Sequence, residues 1–153
     1  RTLEGGFWHK LIYQHQMWLD GLYMASPFYA RYGAEFNRPD LIDEAVKQFT
    51  LCHKHTYSPE TDYIIMLGRE QIPTIGQIRK TVLHLTSGDA DSWWFMAMVD
   101  VLDYIPTTTP ARASLISWIQ GLAESLPNYQ RDGLWYQVID QPEREGNFSP
   151  KHP

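Results

Sequence analysis

Between Met17 and Tyr32 the chain reads MWLDGLYMASPFYARY, and apolar side chains fall on every side of a helix drawn through it. A helix of that kind is stable only when other elements surround it, which demands a multi-helix fold in which this segment is buried. Pro27 has no amide hydrogen to donate and should kink or interrupt the helix. One carboxylate, Asp20, stands in the run Gln16 to Met24, which carries no other charge. A carboxylate in such surroundings needs compensation, either by capping a neighbouring helix or by pairing with a cation, unless it is there for its chemistry.

The partners of that helix are legible further along. Asn37-Arg38-Pro39 announces a second helix, with Pro39 suited to a first helical position and Asp40, Asp43 and Glu44 where the helix dipole favours anions. Leu41, Ile42, Ala45, Val46 and Phe49 give it one apolar face. A third helix is expected from about Asp91 to Tyr104, on Trp94, Ala97, Met98, Val101, Leu102 and Ile105, with Pro106 as its stop. A fourth is expected from about Pro110 to Leu126 on Leu115, Ile116, Ile119, Leu122, Ala123 and Leu126. The connections are short and hold Pro, Gly, Asn or Thr, as helix-hairpin loops do. A short strand at Leu134 to Ile139 is the one exception to an all-α reading built from antiparallel helix pairs.

Composition narrows the function. The 153 residues are 43% hydrophobic, enough for one ordered domain with a core. The net charge of -5 offers no basic surface for nucleic acid, while 6 Trp, 9 Tyr and 6 Phe suit a core or a carbohydrate cleft. No run approaches the roughly 18 consecutive apolar residues that a membrane span needs. The single cysteine, Cys52, allows no internal disulfide and leaves the redox compartment open. The chain opens on Arg1-Thr2-Leu3-Glu4, without an initiator methionine or a leader pattern, so localisation is not legible. Cys52-His53-Lys54-His55 holds metal-ligand residue types, but with no second cluster the histidines are expected to answer the helix dipole instead. Gly5-Gly6 lacks the strand and helix of a phosphate loop and is expected to be a turn. The acidic residues Asp40, Asp43, Glu44, Asp100 and Asp103 are expected on solvated faces or at caps.

Three blocks carry a resemblance. Gly5-Gly6-Phe7-Trp8-His9-Lys10, then Gln16 to Met24, then Pro27-Phe28-Tyr29-Ala30 form the first. Trp94 to Pro106 and Gly133 to Pro142, followed by Arg144-Glu145-Gly146-Asn147, form the others. In this order and spacing the chain resembles the unsaturated rhamnogalacturonyl hydrolases, glycoside hydrolase family 105, relatives of the unsaturated glucuronyl hydrolases of family 88. The resemblance implies part of an (α/α)6 barrel of six helical hairpins, incomplete at both ends. It implies removal of a 4,5-unsaturated uronic acid from lyase-generated oligosaccharides, such as those of pectin, with no metal or organic cofactor. Two flanking carboxylates are not the expected machinery. Instead, one acid protonates the C4=C5 vinyl ether, water adds at C5, and the hemiketal opens to release the sugar. By resemblance Asp20 is that acid and the subsequent base, in an apolar cage of Met17, Trp18 and Leu19 that would raise its pKa. His9 and Lys10 would face the substrate, the lysine meeting the uronate carboxylate, unless they are a surface loop pair. Trp18 and Trp94 would stack on sugar rings, unless they are core.

The resemblance breaks between about residues 62 and 92, where local signals also disagree with one another. After a Ser-Pro-Glu-Thr like Ser58 to Thr61, the family continues Gly-Leu-Tyr-Tyr-His-Ala-Trp-Asp, with an active-site histidine. This chain reads Asp62-Tyr63-Ile64-Ile65-Met66-Leu67-Gly68. The string TTATATTATCATGCTTGGGA encodes Leu-Tyr-Tyr-His-Ala-Trp, and one base later Tyr-Ile-Ile-Met-Leu-Gly. Likewise CACTTCTGGGGACGCG encodes His-Phe-Trp-Gly-Arg, and one base later Thr-Ser-Gly-Asp-Ala, which is Thr86 to Ala90. The last residues, Pro150 to Pro153, show the same relation to a family Glu-Ala-Ser. Residues of about 62 to 92 and the tail are therefore expected to be out of frame relative to an ancestral enzyme. The competing expectations are an inactive fragment of such an enzyme, or a non-catalytic sugar-binding helical module. Helix faces left uncovered by an incomplete barrel are expected to drive self-association.

Overall fold

The computed structural model describes residues 1–12, 14–58, 63–64, 88–136, 139 and 142–143. The out-of-frame expectation for residues 62 to 92 and the tail falls, apart from residues 63, 64 and 88 to 92, outside the described residues. Four α-helices carry the fold: α1 (Leu19–Glu35), α2 (Pro39–Thr56), α3 (Gly88–Leu102) and α4 (Pro110–Ser125), with a 3-10 turn over Leu126–Tyr129. A two-residue antiparallel ladder, β1 (Tyr57–Ser58) with β2 (Tyr63–Ile64), follows α2. The strand expected at Leu134 to Ile139 is not formed in the described part of that range. A single antiparallel bridge, Arg131 to Leu134, closes a tight turn instead, with Asp132 and Gly133 both at positive φ.

α1 is the central element, packed against both α2 and α3, while α4 packs on α3. Of the kink or interruption expected at Pro27, the interruption does not occur, and the helix runs on through it. The Pro27 ring leaves the Tyr23 carbonyl without its helical donor, a loss that packing on two neighbours offsets. The expectation of burial all round also needs correction. Leu19, Leu22, Ser26, Ala30 and Gly33 form the buried stripe, whereas Met24 and Phe28 are 71% and 64% exposed. The small residues let α2 come close. A Cβ on Gly33 would lie 2.8 Å from the Arg38 carbonyl and 2.9 Å from Ile42 Cγ1, so glycine is required where the chain folds back. Asn37, at φ +52, makes the reversal.

α2 starts at Pro39, and Arg38 grips Asp40 with two hydrogen bonds of 2.8 and 2.7 Å. Its buried positions are Ala45, Gln48, Phe49 and Cys52. α3 buries Trp94, Ala97, Met98 and Val101, and Ile105 follows it into the core. Across the helices Phe49 meets Trp94 edge to face at 5.3 Å. The Arg112 guanidinium, from the first turn of α4, donates to the Leu102 and Ile105 carbonyls and so caps the end of α3. α4 is less covered, with Leu115 and Leu122 buried and Ile116 exposed. No described helix is long and apolar enough to cross a membrane.

Candidate active site

The described residues before α1 form no helix or strand of their own, so their backbone groups need other partners. The first six close a turn: Gly5, at φ +94, donates to the Thr2 carbonyl, and Gly6 donates to Thr2 Oγ1. Gly5-Gly6 is thus the turn expected of it. The segment then lies along α2. Arg1 pairs with Glu44 at 2.6 Å, and Glu4 bridges Lys54 and His55 at 2.5 Å each. Hydrogen bonding from Lys54, and then from His55, holds the Glu4 carboxyl down at about 2. Gln48, fully buried on α2, accepts from Phe7 N at 2.8 Å and donates to the Gly5 carbonyl at 3.2 Å.

This strap delivers His9 to the start of α1. The His9 amide donates to the Gln16 carbonyl at 2.7 Å, closing a loop in which His15 takes φ +63. The His9 ring lies flat on Trp18, with centroids 4.2 Å apart and planes 4° from parallel. Its Nδ1 stands 3.6 Å from Asp20 Oδ1, too long for a hydrogen bond but within ion-pair reach. Gly21 allows this approach, because a Cβ there would meet Nδ1 at 3.2 Å. His9 is 4% exposed and Asp20 33% exposed at their side chains. The enclosure expected of Met17, Trp18 and Leu19 is therefore incomplete: Leu19 turns into the core, and the carboxylate reaches solvent. Asp20 Oδ1 also accepts the Gly21 amide at 2.9 Å in the first turn of its own helix, where the dipole favours a negative charge.

The other expected residues separate. Lys10 is exposed beside His9. Trp18 has one indole face covered by His9 and donates Nε1 to Gln16 Oε1 at 3.1 Å. Trp94 takes the core alternative and not the cleft: it is fully buried, because it shares the α3 stripe that packs on Phe49. Its neighbour Trp93 is exposed and meets Tyr23 at 4.7 Å. Tyr23 lies one turn along α1 from Asp20, so these two rings flank the carboxylate's face of the helix. A cavity of about 180 Å³ is lined by Trp8, His9, Trp18 and Gly21 among others, and Asp20 is not part of its lining.

Among the described residues no three His, Cys, Asp or Glu side chains come together in a group that could hold a metal ion. The Cys52 to His55 run is spread over other contacts. Burial pushes the Cys52 thiol up to about 12. His53 is sandwiched between Tyr57 and Trp118 at 4.8 and 4.0 Å, and burial pushes its imidazole below the usual range. His55 is bound to Glu4. Asp43, Asp100 and Asp103 are exposed, as expected of solvated faces, but Glu44 belongs to the strap.

The helical hairpins match known proteins. A glycoside hydrolase from family 105 of C. acetobutylicum superposes with a TM-score of 0.80 and 32% identity, covering 97% of this chain and 42% of its own. A glycosyl hydrolase family 88 protein from Bacteroides vulgatus superposes at 0.68 with 25% identity, covering 88% and 38%. Two curated relatives, Protein Atu3128 of Agrobacterium fabrum and the 24.9 kDa protein in the picA locus of Rhizobium radiobacter, are each 25% identical over 126 residues, or 82% of this chain. The chain spans about half of their length, 54% in both cases. The neighbours share the α/α barrel architecture, of which four helices lie among the described residues. The family description that matches residues 1–149 is Glycosyl Hydrolase Family 88, and the chain belongs to that family.

Proposed function

We propose that the chain carries the acid/base portion of a glycosidase that removes a 4,5-unsaturated uronic acid from lyase-generated oligosaccharides. The observation that supports this best is Asp20: a solvent-reachable carboxylate at a helix start, with an imidazole 3.6 Å away, in a family 88 chain. The Asp20 carboxyl gives its proton to C4 of the vinyl ether, and positive charge develops at C5. Water adds at C5 and returns a proton to the carboxylate, and the hemiketal opens to a C5 ketone as the sugar leaves. His9 Nδ1, 3.6 Å from Asp20 Oδ1, stands beside the carboxylate formed after the first step. Lys10 would attract the uronate from the exposed rim, and the Trp18 indole would pack against the sugar ring. No step calls on a metal.

The test uses an unsaturated rhamnogalacturonan disaccharide in deuterated water. Loss of the enol-ether ultraviolet band, with one deuterium at C4 of the product, is the expected result. Sugar release without deuterium at C4 contradicts the hydration route.

A second reading, that the chain is a catalytically inactive fragment of such an enzyme, is favoured by residues 62 to 92. There the sequence lacks the family-like histidine and the Trp-Gly-Arg run. Absence of any absorbance loss at high concentration of folded protein supports it, as does a single-base insertion or deletion near codons 61 and 92 of the gene. A sugar-binding module is the third arm, distinguished by saturable disaccharide binding without turnover.

A further inference from the structure

Gln48 is a primary amide on an otherwise apolar stripe, between Ala45, Phe49 and Cys52, and is fully buried. It accepts from Phe7 N at 2.8 Å and donates to the Gly5 carbonyl at 3.2 Å. A carbonyl and the amide two residues later are the pair that a neighbouring strand would engage, so this side chain holds the segment as such a strand would. Its Nε2 also donates to Glu44 Oε1 at 2.5 Å, and Glu44 in turn receives Arg1. The segment Gly5 to Phe7 is therefore held against α2 by a buried bidentate contact. Two residues further on, the His9 ring is stacked on Trp18 with Nδ1 beside Asp20.

We propose that Gln48 is a positioning residue, whose amide fixes the Gly5–Phe7 backbone and through it sets the His9 ring against Asp20. This rests on the reading of Asp20 as the acid/base. The amide touches neither the carboxylate nor any substrate and acts through the strap. A hydrophobic side chain of similar length would fill the same space but release both backbone groups. The strap would then slide, and a shift of about 1 Å at a reacting group costs up to ~10²-fold in rate.

The test compares Gln48→Met and Gln48→Glu with the parent chain by proton NMR, reading the His9 ring resonance identified by its loss in His9→Asn. In the parent, stacking on Trp18 shifts that resonance upfield. Gln48→Met is expected to return it toward the value of a free imidazole while far-ultraviolet circular dichroism stays helical. Should Gln48→Met fail to fold, Gln48→Glu reads the same shift, because its carboxylate still accepts from Phe7 N but no longer donates to Gly5. A His9 resonance unmoved in whichever variant folds overturns the proposal, whatever the turnover. In active protein, Gln48→Met is expected to lower kcat about tenfold with little change in KM, and to add no further loss in His9→Asn. A further tenfold loss in that double variant would make Gln48 merely structural and overturn the proposal. If Asp20→Asn leaves turnover intact, the acid/base reading fails separately, while the His9 shift still decides the positioning.

Discussion

At the scale of single residues, environment and not residue type separates the ionisable side chains into roles. His53 is pushed toward its neutral form by burial between Tyr57 and Trp118. The unfolded chain, where a histidine titrates near ~6.5, binds more protons than the folded one as the pH falls. His53 therefore contributes stability above that value and loses it as pH drops toward its lower folded value. Melting temperature should fall between pH 7 and 5, and His53→Phe should flatten that dependence; an unchanged slope would show that His53 is not its source. Asp20, His9 and Trp18 were legible because they lie in two closely spaced segments, Gly5 to Lys10 and Gln16 to Met24, and the structure places the three together. Gln48 was not, because a single glutamine within a helical pattern looks like any surface residue until its partners are known. Trp94 was misplaced for the opposite reason: its spacing with Ala97, Met98 and Val101 already marked it as core, and the block resemblance outweighed that period.

Elements were legible where a terminus signal coincided with a single apolar stripe. Pro39 and Pro110 stand at the starts of α2 and α4, and the α3 stripe is buried from Trp94 to Ile105. α1 was harder, since its faces differ by size and not by polarity. Ser26, Ala30 and Gly33 pack inward and Met24, Phe28 and Tyr32 face out, a distinction invisible to a hydrophobic period. The short strand expected at Leu134 to Ile139 is not formed in its described part, where a turn with two positive-φ residues closes. Close approach of α1 and α2 at Gly33 predicts that Gly33→Ala destabilises by about 1 to 3 kcal/mol, since a backbone carbonyl stands in the way. Phe49→Ala, which opens a void beside Trp94, should cost about 3 to 5 kcal/mol. Chemical denaturation midpoints check both, and a neutral Gly33→Ala would remove the packing argument for the reversal.

Over the whole molecule, the described helices leave one apolar ridge uncovered. Met24, Phe28, Tyr32 and Phe36 recur every four residues along and just beyond α1, with Tyr32 and Phe36 stacked at 4.4 Å. Such a ridge on a chain spanning 42% of a similar barrel supports the proposal that the isolated chain self-associates. Sedimentation at micromolar concentration should show dimers or larger species, and Phe28→Ser should shift them toward monomer. A parent chain that is monomeric and melts cooperatively would contradict this. The same architecture leaves the Asp20 carboxylate partly exposed at the start of α1 and outside the lining of the cavity beside His9. Its chemistry is the central claim. The most direct measurement is the rate of enol-ether absorbance loss for the parent chain and for Asp20→Asn, with both shown to be helical. The account predicts a fall of about 10³-fold in the variant. A rate within about twofold of the parent would contradict it.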